Sequence, residues 1–142
     1  MKIACSISAL ALILAMAAPA RAADPKGLWL TAEGDAKIRI ADCGGALCGT
    51  IAWLKQEYDT DTGRPPLDKQ NPDASKRKRP LLGIMILLGM QPSGPETWTG
   101  SIYNADDGNT YQGKITPTGP ATLKVEGCAL GACQAENWTR TN

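Results

Sequence analysis

Short segments in which apolar and polar residues alternate recur along this chain, and residues that favour turns separate them. Such alternation places every second side chain on one face and is typical of half-buried β-strands. Asp106-Asp107-Gly108-Asn109 and Thr118-Gly119-Pro120 predict two of the turns. The predicted strands are 27–32, 36–42, 48–54, 82–90, 97–103, 109–116, 121–127 and 134–140.

No segment has a sustained helical period with caps, so the pattern predicts an all-β protein. About eight sequential antiparallel strands in a chain of this size favour a small up-and-down barrel, because closure removes the exposed edges of an open sheet.

A long loop, residues 55–80, interrupts the pattern with many Asp, Asn, Pro and basic residues. Loops of this length in compact domains are usually functional or disordered. Residues 81–90 follow and are apolar apart from two glycines. As a strand, this run has two apolar faces, so its outward face needs a cover: the long loop, a partner or a ligand. We expect the long loop to be that cover.

Four of the five cysteines form two pairs with the same spacing, Cys43 with Cys48 and Cys128 with Cys133. A four-residue hairpin loop brings two thiols on adjacent strands within disulfide reach. Of the three connectivities that four cysteines allow, we expect Cys43–Cys48 and Cys128–Cys133. The alternative is a four-thiolate zinc site, but zinc ligands usually include a tighter pair.

Residues 1–22 have the three parts of a cleaved signal peptide: Lys2, an apolar stretch, and Ala20-Arg21-Ala22 as the cleavage site. The apolar stretch is shorter than the about 20 residues that a membrane-spanning helix needs. We therefore expect export to the periplasm or beyond, loss of Cys5, and a single domain over residues 23–142.

The charge balance and the lack of histidine exclude several classes of function. Without Lys2 and Arg21, the exported chain has 13 basic and 14 acidic residues. It therefore has no excess positive charge that would attract nucleic acid. The chain has no histidine, the commonest general base and nitrogen ligand. With the cysteines oxidised, an enzyme would depend on carboxylates, so we predict no enzyme, no cofactor and no metal site. Asp59-Thr60-Asp61-Thr62-Gly63 lacks the register of an EF-hand calcium loop, and Asx-turns explain its aspartates.

Lys76-Arg77-Lys78-Arg79 is the densest local charge, directly before the apolar run. Its two interpretations are a solvated loop and an anion clamp in which Arg77 and Arg79 grip a carboxylate or phosphate. Basic residues beside an apolar surface suit a small amphipathic or anionic ligand at the barrel mouth, or a peripheral contact with an anionic membrane. Trp53, Tyr103 and Tyr111 are the candidate cavity-lining residues.

Motifs along nearly the whole exported chain resemble a family of small secreted bacterial proteins known only as a domain of unknown function. They are Gly27-Leu28-Trp29, Cys43-Gly44, Leu47-Cys48-Gly49, Trp53-Leu54, Asp68, Asn71-Pro72-Asp73, Arg77, Arg79-Pro80-Leu81-Leu82-Gly83, Trp98-Thr99-Gly100, Ile102-Tyr103, Asp107-Gly108, Thr110-Tyr111, Gly127-Cys128 and Trp138-Thr139-Arg140. Ser101 departs from the pattern, where such sequences often have a second glycine. The resemblance implies a lipocalin-like barrel and no assigned activity.

Lipocalins have a Gly-x-Trp on the first strand and an arginine from the chain's end over the indole. Gly27-Leu28-Trp29 and Arg140 fit this arrangement, so we expect Trp29 and Arg140 to be structural. A guanidinium over an indole contributes about 0.5–2 kcal/mol.

The sequence thus predicts an exported, non-catalytic, lipocalin-like binding protein with a small ligand at the barrel mouth. An eight-stranded barrel is also small enough to be filled by its own side chains. The alternative is therefore a solid barrel that serves as an envelope interaction or structural module through its long loop. A carboxylate-based envelope hydrolase is the third hypothesis.

Overall fold

The computed structural model describes residues 23–142, so the predicted signal peptide, residues 1–22, lies outside the described residues. Within them, no helix has the length and hydropathy needed to cross a membrane. The strands are β1 (Gly27–Leu30), β2 (Ala36–Asp42), β3 (Leu47–Leu54), β4 (Met85–Gly94), β5 (Thr97–Asn104), β6 (Asn109–Gly119), β7 (Thr122–Ala129) and β8 (Ala132–Thr141).

The eight strands form a closed barrel in which each strand pairs antiparallel with its neighbour in sequence. Closure comes from β1 and β8, where Trp29 lies opposite Arg140. The predicted all-β, up-and-down barrel is confirmed.

The predicted strand 82–90 is wrong at both ends, because β4 runs from Met85 to Gly94. Leu82 lies in the connection before it, where Gly83 has φ +92° and donates its N–H to the Ile51 carbonyl at 2.8 Å. A run that is almost wholly apolar has no alternation to mark where pairing begins, so the pattern could not locate this turn.

Large apolar side chains fill the barrel interior. Those with at most 1% exposure are Trp29, Ile38, Leu87, Met90, Ile115 and Leu123. Two interior glycines allow this packing: a Cβ at Gly49 would lie 2.7 Å from Leu87 Cδ1, and one at Gly113 would lie 2.6 Å from Ile102 Cγ1. The interior is therefore packed so closely that even a methyl group would not fit at these positions.

Trp29 and Arg140 close the end of the barrel where β1 begins and β8 ends. The Trp29 Nε1 donates to the Pro25 carbonyl at 2.8 Å, and the Arg140 guanidinium lies 4.2 Å from the centre of the Trp29 ring. The same guanidinium donates to the carbonyls of Asp24, Lys26 and Pro120. The stack expected from the resemblance is present and fixes the first and last strands together.

Both predicted disulfides are confirmed, with Cα–Cα distances of 5.8 Å for Cys43–Cys48 and 4.0 Å for Cys128–Cys133. They lie at opposite ends of the barrel, since one follows β2 and the other closes the β7–β8 hairpin.

Removing either disulfide should lower stability to a similar extent, because both loops contain the same number of residues. We expect Cys43→Ser with Cys48→Ser, and separately Cys128→Ser with Cys133→Ser, to lower the free energy of unfolding by about 2 kcal/mol each. Urea unfolding followed by tryptophan fluorescence measures this. An unchanged midpoint for one double variant would show that its disulfide adds no stability.

Candidate functional site

The candidate site is the β3–β4 loop, residues 55–84, together with the barrel side chains that it contacts. Its two halves run side by side: the Asp68 N–H donates to the Arg79 carbonyl at 3.0 Å, and the Leu81 N–H donates to the Pro66 carbonyl at 2.9 Å. A short 3-10 helix, Ala74–Lys76, is capped by the Asp73 side chain. The loop thus has regular internal structure.

Asp59 organises the tip of this loop. Its Oδ1 accepts from the N–H groups of Asp61 and Thr62, and its Oδ2 accepts from Lys69 Nζ at 2.7 Å. These contacts hold the pKa of Asp59 below its usual value, the Lys69 hydrogen bond contributing most. Within residues 23–142, no group of three or more metal-ligating side chains occurs.

The carboxylate of Asp68 joins the loop to the barrel. Its side chain is fully buried, and its Oδ1 accepts from the Tyr103 hydroxyl of β5 at 2.5 Å. Its Oδ2 accepts from Asn71 Nδ2 at 2.8 Å and from Arg79 Nε at 2.9 Å, while Arg79 Nη2 lies 2.8 Å from the same oxygen. A buried charge is tolerated because three side chains pair with it.

Two opposing effects determine the pKa of Asp68. Burial alone would raise this pKa, but the hydrogen bonds from Tyr103, Asn71 and Arg79, with the charge of Arg79, outweigh it and lower the pKa below 3.8. For Tyr103, burial and the hydrogen bond to Asp68 raise the pKa. Asp68 therefore stays ionised and Tyr103 stays a proton donor at neutral pH.

A second contact holds the loop against the β5–β6 turn. Gly108 has φ +73°, and a Cβ there would collide with the main-chain oxygen of Gln70. Only glycine both adopts this backbone conformation without strain and leaves room for the loop.

The structure places the predicted ligand-binding residues in three different environments. Arg79 and Tyr103 belong to the Asp68 network, and Arg77 donates its Nε to the Asn71 carbonyl at 2.7 Å. Tyr111 instead donates to Asp107 Oδ2 within the β5–β6 hairpin, at 2.5 Å. Trp53 lies on the outside of the barrel with 36% of its surface exposed. Only Arg77, Arg79 and Tyr103 are brought together.

Sequence reasoning assigned no role to Asp68 and Asn71, although both belong to the motifs quoted for the resemblance. Their partners lie as far as 35 residues away along the chain. The available signal was the presence of Asp68, Asn71 and Arg79 in one loop after a strand. The local sequence does not show that Asp68 and Asn71 are buried.

Residues of the described part of the chain line two depressions that are open to solvent. One of about 790 Å³ is lined by Ala23, Asp24, Glu96, Pro117, Thr118, Gly119, Pro120 and Arg140, and one of about 460 Å³ by Thr99, Gly100, Gln112, Gly113, Lys114 and Cys128. Neither is formed by the long loop.

Comparisons with known proteins agree with this architecture. The family model described as "Uncharacterized protein conserved in bacteria (DUF2147)" matches residues 27–140. Among solved structures, protein HP1028 from Helicobacter pylori, described as belonging to the lipocalin family, is similar with a TM-score of 0.71 and 20% identity over 84% of each chain. At this identity, the similarity shows a lipocalin-like fold. No curated protein matches the sequence.

Arg79→Ala should destabilise the protein, because it leaves a buried carboxylate with two hydrogen-bond partners instead of three. Since the Arg79 side chain is 38% exposed, we expect a loss of about 2 kcal/mol, below the range for a fully buried pair. Lys78→Ala is the matched control and should change stability by at most about 0.5 kcal/mol. Equal unfolding midpoints for both variants would contradict a structural role for Arg79.

The Asp68 network should also give a defined acid dependence of stability. Because the folded state lowers the pKa of Asp68, its contribution is present above the unfolded pKa and is lost as pH falls through the folded pKa. We expect Asp68→Asn to be less stable than the natural chain at pH 6, and the gap should narrow between pH 5 and pH 3. Urea midpoints at several pH values measure this gap; a constant gap would refute the assignment.

Proposed function

We propose that this chain, which belongs to the DUF2147 family of bacterial proteins, is an exported, non-catalytic binding protein that recognises its partner with the outside of a solid barrel. The observation that carries this proposal is the filled interior. Leu87 and Met90, whose side chains are wholly buried, occupy the space in which a ligand-carrying barrel would hold its ligand.

The packing around the interior glycines supports the same conclusion. A pocket for a small molecule usually encloses about 300–1,000 Å³. At Gly49 and Gly113, the space for one Cβ atom is already taken by Leu87 and by Ile102. An internal ligand would therefore have to displace several close-packed side chains, at a cost in stability.

The chemistry of the barrel mouth points the same way. A ligand gripped by Arg77 and Arg79 would have to compete with the carboxylate of Asp68, which already pairs with Arg79 through two nitrogens. The Nε of Arg77 is likewise engaged by the Asn71 carbonyl. This geometry favours the solid interaction module over a small amphipathic ligand at the mouth.

Non-catalytic action is supported by the state of Asp68, whose carboxylate is fully buried. Asp68 has a lowered pKa and four close donor nitrogen and oxygen atoms, which makes it a poor proton donor at neutral pH. Tyr103, with a raised pKa, is a poor base. The network is suited to holding the loop in place.

Export is supported by the two disulfides, which form and persist in oxidising compartments, and by the signal-peptide pattern of residues 1–22. Among such compartments we favour the bacterial periplasm.

A native mass spectrum of protein purified from the periplasm tests the proposal. We expect the native mass to equal the denatured mass, and that mass to fit a chain starting at Ala23 that lacks four hydrogens because of two disulfides. A lipid-sized molecule that dissociates on denaturation would overturn the solid-barrel proposal in favour of an internal or mouth-bound ligand.

A further inference from the structure

The outer face of the first four strands has an amphipathic pattern. On β1 and β2 the buried side chains are Trp29, Ala36, Ile38 and Ile40, so their neighbours point outward. Strand register aligns the outward side chains in two rows: Leu30, Lys37 and Trp53 in one, and Leu28, Arg39, Thr50 and Met85 in the other. We call these seven residues the β1–β4 face.

Two apolar members of the β1–β4 face are exposed, and Leu28 and Leu30 are half-buried. Trp53 is 36% exposed and Met85 is 42% exposed. A register shift beside Lys37 makes Ala52 and Trp53 both exposed, although consecutive strand residues normally alternate. The Lys37 ammonium lies 5.5 Å from the centre of the indole ring. The face thus combines an aromatic ring with a cation directly above it.

Among residues 23–142, no Asp or Glu side chain compensates the charge of this face. Its two charged residues are Lys37 and Arg39, and within residues 23–142 neither forms an ion pair with Asp or Glu. Lys37 Nζ donates to the main-chain oxygen of Asn142. The nearest carboxylates along the chain are Asp35, in the β1–β2 turn, and Asp42, at the end of β2, where it pairs with Lys26 at 3.4 Å.

On the opposite side of the barrel, the outward lysines pair with a carboxylate. There Lys114 and Lys124 both pair with Glu126, at 3.2 and 3.1 Å, so two cations share one carboxylate. Hydrogen bonds and charges from both lysines outweigh the burial of Glu126 and lower its pKa. On the β1–β4 face, by contrast, the two cations have no Asp or Glu partner among residues 23–142 and lie beside accessible apolar side chains.

We infer that the β1–β4 face docks the exported protein onto an anionic lipid bilayer. A second copy of the chain would bring Lys37 and Arg39 against like charges, which disfavours self-association. The face is a convex sheet with mixed cationic and apolar side chains, and Trp is a residue that favours the membrane–water interface. This inference rests on the proposed function, since it names the partner of the outer surface.

Vesicle binding by the exported protein tests this inference. We expect binding to phosphatidylglycerol vesicles, little binding to phosphatidylcholine vesicles, and quenching of Trp53 by brominated lipid that Trp53→Phe removes. Lys37→Gln with Arg39→Gln should weaken binding about 30-fold, equivalent to about 2 kcal/mol for two cations at an anionic surface. The unfolding midpoint should fall only slightly, because the double substitution also removes the exposed contact of Lys37 with the Trp53 ring.

Lys76→Gln with Lys78→Gln is the matched control, because it removes the same charge from the long loop. Retained binding in this control supports the inference, and an equal loss in both double variants overturns it by assigning the effect to net charge. No binding to phosphatidylglycerol, or equal binding to both lipids, also overturns it. Either failure leaves the solid-barrel proposal unaffected. A bound lipid in the native mass spectrum would refute the solid-barrel proposal independently.

Discussion

Closure of eight short strands into a ring is the constraint on which the rest of this structure depends. A closed sheet leaves no unpaired edge, but it encloses a narrow interior that must be filled and two ends that must be sealed. Trp29, Leu87 and Met90 fill the interior here, and Gly49 and Gly113 leave room for the side chains packed against them. The width of the closed barrel therefore determines which interior positions hold a large side chain and which hold glycine.

The two ends are sealed by different chemistry. At one end, Arg140 covers the Trp29 ring and donates to main-chain carbonyls, which leaves its charge partly hydrated. At the other end, Asp68 is wholly buried and depends on Tyr103 and Arg79. A buried charge contributes little net stability, yet losing one partner is costly. Such a network accepts one position of the long loop and disfavours the others.

Features that depend on local spacing could be predicted from the sequence, and contacts between distant segments could not. The strands with clear alternation and the disulfides follow from local spacing, and the stack of Arg140 on Trp29 follows from a known pattern. The start of β4 was missed because a uniformly apolar run has no alternation. Trp53 was expected to line a cavity, but a register shift beside Lys37 puts it outside. The contacts of Asp68 join distant segments, which no local pattern contains.

The filled interior also indicates where to look for function. Packing requires Trp29, Gly49 and Asp68, since replacing any of them leaves a void, a clash or an unpaired charge. Closure of the barrel does not require an indole at Trp53 or a cation at Arg39, because polar residues are common at outward strand positions. Exposed apolar area, such as that of Trp53 and Met85, often marks a surface that binds a partner or a membrane. Trp53, Met85 and Arg39 lie together on β1–β4, and this is why the proposal places the partner there.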